Sequence, residues 1–375
     1  MPTWGDILNE INQAAHLLQV SGTATSPHDI VRRKYLGVAA AATGRPTILY
    51  ATAWIAQPNA PPALTSMTDE DVHALMEAVH GLAGPNLDLI LHSPGGSAGA
   101  AESIVKYLRS KFDHIRIIVP HMAMSAATMI SCAANEIVLG RHSFLGPIDP
   151  QLLLQTGLGP RYVPAQAILD QFQRALQDAA DPIKLRVWAP MLNQYGPDLL
   201  VTCQNMVSLS EQLVSQRLET YMFNGQANAK TQAKAIASWL SAHNTFLTHA
   251  RPIPRDQLAA KGLVIRELEA NQSEQDAFLS VYHAAAHTFS ATPCVKIVEN
   301  HLGKAFMKMN FSGLAQQMQL IPGQPIPMPP PAVPVPAPQP VPAPPPAAPP
   351  SAPQASPPAT APKPAKKKRP NRRGI

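Results

Sequence analysis

Hydrophobic positions follow a helical period at the start of the chain, a strand period in the middle, and a helical period again over most of the remainder. Residues 5–20 bring Ile7, Leu8, Ile11, Ala14, Ala15 and Leu18 to one helical face. Residues 32–43 predict a second helix, stopped at Gly44 ahead of Pro46. The β-branched and aromatic run at residues 47–55 predicts a strand. Thr68 as N-cap, with Asp71 three positions on, predicts a helix running to about Leu82. An apolar strand at residues 87–91 then meets Ser93-Pro94-Gly95-Gly96, and a helix starts at about Ala98. A further strand at residues 115–119 leads to Ser125 and a helix of small residues. Strands alternating with helices predict βαβ units and a mostly parallel sheet covered on both faces.

Beyond Pro150 the pattern becomes mainly helical. Residues 164–179, 182–195, 197–222, 228–242 and 275–290 carry the helical period, and residues 258–268 read as a short helix and strand. Residues 295–309 close the folded body.

Composition divides the chain once more. Of the 41 prolines, 22 lie from Ile321 onward, where there is no Asp or Glu and seven Lys or Arg. Subtracting those seven from the net charge of +6 leaves residues 1–320 at −1. The basic character therefore belongs to the tail, and the body is not a general nucleic-acid binder. Residues 321–375 lack the apolar groups needed to offset ordering entropy, which predicts disorder with a polyproline bias. The cluster Lys366-Lys367-Lys368-Arg369-Pro370-Asn371-Arg372-Arg373 is suited to anionic surfaces such as nucleic acid or lipid headgroups, or to simple solubilisation.

Cys132, Cys203 and Cys294 are scattered, which argues against a disulfide framework and against a zinc site, so no metal or cofactor is expected. The first residues lack a basic segment followed by an apolar run. The apolar stretch 35–56 is broken by Gly44-Arg45-Pro46. A soluble protein of the reducing cytoplasm is the expectation.

Candidate chemistry gathers at two turns. Consecutive glycines after a strand let the backbone bring N–H groups close to a ligand oxygen, and the following helix adds its positive end. A plain tight turn has the same signature, whereas a phosphate loop is disfavoured because GxxxxGK[ST] is absent. Ser125, taken alone, reads as a helix N-cap. Paired with a diglycine turn 30 residues earlier in the same strand-turn-helix setting, it reads as a nucleophile beside an oxyanion hole. If the two strands are neighbours, both turns open on one edge of the sheet.

The segment SPGG, then AMSAAT, then NEIVLGRHSFLGPIDPQ resembles the Clp/crotonase superfamily of serine peptidases, and most closely its serine dehydrogenase proteinase branch. The resemblance runs to about Lys308 and excludes the tail. It implies an α/β fold built as a spiral of ββα units with added helices. The expected organisation is a peptidase domain over 1–310, with its core at 45–155 and a helical remainder at 156–310. The resemblance further implies Ser125 as nucleophile, the amides of Gly95, Gly96 and Ala126 as oxyanion hole, a peptide or protein substrate, and trimers or hexamers.

The base is not given by the family pattern, because Ile148 stands where the Clp protease subunit has its histidine. Relatives that use a Ser-Lys pair carry the lysine some 40 to 60 residues after the serine, and Lys184 occupies that window. His121 and His142 are further candidates. Asp149 is expected to line the cleft or to orient a base. His243, His249, His283, His287 and His301 read as ordinary helix and loop residues, and the four tryptophans as core anchors. The expected function is peptide hydrolysis through an acyl-enzyme on Ser125. The alternatives are a crotonase-type acyl-CoA enzyme, for which only Asp149 is at hand as carboxylate, and a non-catalytic oligomeric scaffold.

Overall fold

Strands whose side chains are apolar on both faces need cover on both faces, and that requirement organises this α/β chain. The structure, a computed structural model, describes residues 2–22, 25–156, 159–192 and 195–311. The tail at 321–375, expected to be disordered, lies outside the described residues together with its basic cluster.

The chain opens with α1 (Trp4–Ser21), α2 (Pro27–Thr43), β1 (Thr47–Thr52), α3 (Pro62–Thr65) and α4 (Glu70–Val79). Next come β2 (Asn86–His92), α5 (Ala98–Arg109), β3 (His114–Val119), β4 (Met122–Ala123), α6 (Ala126–Ser131), β5 (Glu136–Leu139) and β6 (Phe144–Leu145). A hairpin, β7 (Gln151–Thr156) and β8 (Gly159–Pro164), leads into α7 (Ala165–Asp178), α8 (Pro182–Leu192), α9 (Leu199–Arg217) and α10 (Ala229–Ser241). The remainder is α11 (His243–Phe246), β9 (Ile253–Pro254), α12 (Arg255–Ala260), β10 (Ile265–Glu267), α13 (Gln272–Ala291), β11 (Cys294–Asn300) and β12 (Ala305–Met309).

The main sheet has the order β10-β5-β3-β2-β1-β11-β12. Its first five strands are parallel, and β11 and β12 add antiparallel at the far edge. Alternate residues sort to the two faces. Ile48, Tyr50, Leu89, Leu91, Ile117 and Ile137 pack under α4, α5 and α6. Leu49, Ala51, Ile90, Ile118 and Val138 pack under α1, α2 and α13.

A small second sheet, β4-β6-β9, stands at the carboxyl ends of the parallel strands. Each of β3 and β5 is followed by a short strand of this sheet, and Ser93 after β2 bridges Ala123 of β4. β3, β4 and α6 make one ββα unit, and β2, the Ser93 bridge and α5 follow the same path, in line with the expected ββα spiral.

Three expectations change. The helix at Thr68 begins at Glu70, and Thr68 Oγ1 is buried without a partner. Only half of the capping box forms, with the Thr68 N–H donating to Asp71 Oδ2 at 2.8 Å. The mainly helical region after Pro150 opens with a hairpin ahead of its first helix. Finally, none of the four tryptophans is fully buried, and Trp4 is 45 % exposed against His283 and His287. Among the described residues, no helix is long and apolar enough to cross a membrane.

Candidate active site

Register places the two turns side by side. Beyond β2, Ser93 N–H donates to the Met122 carbonyl at 3.1 Å, and Met124 N–H donates to the Ser93 carbonyl at 3.0 Å. This ladder aligns Ser93 with Ala123, so two residues further along each chain Gly95 faces Ser125. A side chain on Gly95 would sit 2.8 Å from Ser125 Cβ and 2.7 Å from Ala126 N. Only glycine fits, and its φ of +92° is one that other residues rarely adopt.

Ser125 occupies the N-cap position of α6 without capping it through its side chain, and its backbone sits at φ 54°, ψ −119°. For a non-glycine residue this conformation costs on the order of 1–3 kcal/mol. The strained turn is held by Met129 N–H donating to the Ser125 carbonyl and by Thr128 Oγ1 donating to the Ala123 carbonyl at 2.9 Å. It leaves Ser125 half-buried at the wall of a cleft of about 830 Å³.

The oxyanion donors expected at Gly95, Gly96 and Ala126 divide. The Gly95 N–H is already engaged, donating to Ser93 Oγ at 3.1 Å. The N–H groups of Gly96 and Ala126 have no acceptor among the described residues. Gly96 is held by a bridge to Met67, with Met67 N–H on the Gly95 carbonyl (2.7 Å) and Ser97 N–H on the Met67 carbonyl (3.1 Å). Two unengaged amides therefore remain, one in each turn.

Lys184, expected as the base, does not reach the cleft that Ser125 lines. It lies on α8, 57 % exposed and paired with Asp178 at 2.8 Å, and it takes no part in the cleft wall. Its helix buries no residue, so nothing draws the ammonium inward. His121 and His142 are not at the cleft either. The His121 ring lies 3.1 Å from Tyr282 Oη, and His142 is exposed.

Asp149 does not line the cleft, but it backs the wall formed by Ile148, Pro150 and Gln151. It is 2 % exposed, and its oxygens meet two imidazoles: His249 Nδ1 at 2.7 Å on Oδ1 and His243 Nδ1 at 2.9 Å on Oδ2. Gln151 Nε2 adds a bond at 3.3 Å. A carboxylate only accepts, so the network assigns the proton of each neutral imidazole to Nδ1 and leaves the Nε2 lone pair free. His249, 27 % exposed, lines the same cleft as Ser125 and Gly96.

Both histidines lie well after the SPGG, AMSAAT and GPIDPQ motifs, which end at Gln151. His243 opens α11 and His249 follows Leu247, whose φ of 65° turns the chain back toward Asp149 before β9. The available signal was a polar loop, SAHNTFLTHARP, with two histidines six apart ahead of a proline. Asp149 itself is fixed from the other side, since Ile148 N–H donates to the Leu240 carbonyl at 2.9 Å.

The parallel sheet with its small second sheet has the Clp/crotonase-like fold, and it carries a strained serine and unengaged amides at the carboxyl edge of the parallel strands. Residues 61–186, which include both turns and Asp149, match the family model described as ClpP-like SDH-type serine proteinase. The uncharacterized protein MJ0137 of Methanocaldococcus jannaschii is 37 % identical over 123 residues, covering 32 % of this chain and 40 % of that protein. The uncharacterized protein MJ1495 of the same organism is 28 % identical over 168 residues, covering 43 % and 48 %. The chain thus spans about two-fifths to half the length of these curated relatives.

Proposed function

We propose that this protein hydrolyses peptide bonds through an acyl-enzyme on Ser125, with His249 as general base and Asp149 orienting it. The observation that carries this reading is His249, bonded to Asp149 behind the wall, in the same cleft that Ser125 and Gly96 line. His249 Nε2 takes the hydroxyl proton as Ser125 Oγ attacks the substrate carbonyl. The N–H groups of Gly96 and Ala126 receive the oxyanion. The imidazolium, held beside the Asp149 carboxylate, then protonates the departing amine as the peptide C–N bond breaks. Water, deprotonated by the same imidazole, releases the acyl group and restores Ser125.

Ser125 Oγ has no hydrogen-bond partner among the described residues, and such contacts commonly tighten only when substrate enters. A carboxylate whose oxygens are taken by two imidazoles is poorly placed for the acid/base work of an acyl-CoA enzyme. Assembly into trimers or hexamers belongs to the same proposal.

The test is mass spectrometry of the full chain after treatment with a fluorophosphonate. One adduct on Ser125, lost in Ser125→Ala, is expected. An unmodified Ser125 under conditions that label a control serine peptidase would refute the acyl-enzyme.

A further inference from the structure

Behind the diglycine turn lies a buried ion pair that the chemistry above does not use. Lys296 of β11 is 1 % exposed, and its ammonium meets Asp71 Oδ1 at 2.7 Å and Oδ2 at 2.9 Å. The same Nζ donates to the Ser66 carbonyl at 2.9 Å. Asp71, also 1 % exposed, accepts from the Thr68 N–H at 2.8 Å and from Tyr50 Oη at 2.9 Å. Burial pushes the Lys296 ammonium below the ordinary lysine range, and Asp71 acts in the opposite direction.

These bonds converge on a single short segment. Ser66 and Thr68 are held from behind by the ion pair, and Met67 between them carries both bonds to the diglycine turn. Gly96 packs so closely on Met67 that a side chain there would sit 2.4 Å from the Met67 carbonyl oxygen. The chain of contact therefore runs Lys296–Asp71, Ser66-Met67-Thr68, Gly95-Gly96. A buried ion pair is commonly no better for stability than apolar groups of the same volume, so stability alone does not account for it. An oxyanion donor, in contrast, loses its effect with small displacements, and a rigid support behind it has a direct chemical use.

Resting on the acyl-enzyme reading above, we propose that Lys296 and Asp71 are positioning residues, which hold the Met67 segment so that the Gly96 N–H stays aimed at the oxyanion. Neither touches substrate. Their effect falls on the acylation step and spares the initial binding of ligand.

The test compares wild type with Asp71→Asn/Lys296→Met, in which the charges disappear together and the amide still accepts from Thr68. Single variants leave a buried charge unpaired and are avoided. Hydrogen exchange is read on peptides covering 64–70 and 93–98, and fluorophosphonate labelling is resolved into its inactivation rate and its binding constant. The expected result is exchange faster by about tenfold in those two peptides, with β2 and α5 unchanged. The inactivation rate falls by about tenfold or more at an unchanged binding constant. Exchange within about twofold of wild type in both peptides overturns the proposal. Faster exchange with an undiminished inactivation rate also overturns it. A wild-type Ser125 that never labels refutes the acyl-enzyme, and the exchange comparison still decides whether the ion pair fixes the turn.

Discussion

Ser125, Gly95 and Gly96 were legible in the sequence because each directly follows a strand, and neighbouring parallel strands leave such turns on one edge. His249 was not, since it lies 124 residues beyond Ser125 in a loop with no periodicity, and only the folded chain returns it to Asp149. Lys184 shows the converse: its spacing fits a family pattern, but it stands on a helix that buries no residue. Asp149, expected to line the cleft or to orient a base, stands behind the cleft wall against two histidines. Its role gives a sharp expectation. In Asp149→Asn an amide N–H can face His249, which favours the tautomer with the proton on Nε2 and removes the acceptor for the serine proton. Peptide turnover should fall by about 10³–10⁴-fold with little change in KM, measured by steady-state kinetics.

Among the elements, the parallel strands were the clearest, because β-branched and aliphatic runs bounded by Gly and Pro have few other solutions. The β7–β8 hairpin has no strand signature because both of its faces carry apolar groups. Leu152, Leu154 and Val163 pack toward α7 and α9, while the facing pair Leu153 and Tyr162 points outward, so no alternation marks the strand. The two-residue strands β4 and β6 are too short to have a period at all. Yet β4 sets the registration of the serine turn against the diglycine turn, and this junction can be tested. Gly95→Ala places a methyl 2.5 Å from the Met124 carbonyl oxygen and demands a left-handed φ. A loss of about 1–3 kcal/mol, read by denaturant titration, is expected, together with loss of Ser125 acylation in the folded variant.

For the molecule as a whole, the sheet presents its carboxyl edge to the cleft and buries polar groups just beneath it. His92, at the end of β2, is 2 % exposed, and burial lowers its pKa to about 3, with His121 adding in the same direction. A histidine that stays neutral when folded and protonates when unfolded makes the unfolded state bind more protons. Its contribution is therefore fully present above the unfolded pKa of about 6.5 and is lost as pH falls toward 3. Between pH 7 and 5 this loss amounts to about 2 kcal/mol. Urea titrations at the two pH values should show His92→Gln losing less stability than wild type by about that amount. An equal loss in both proteins would assign the acid sensitivity elsewhere.

The identity of the base ties residue, loop and fold together, and the acylation rate of Ser125 by a fluorophosphonate reports on it directly. His249→Ala should slow labelling by about 10²-fold or more, while Lys184→Ala should label at the wild-type rate. The opposite outcome, with His249→Ala unaffected and Lys184→Ala inert, would contradict the account.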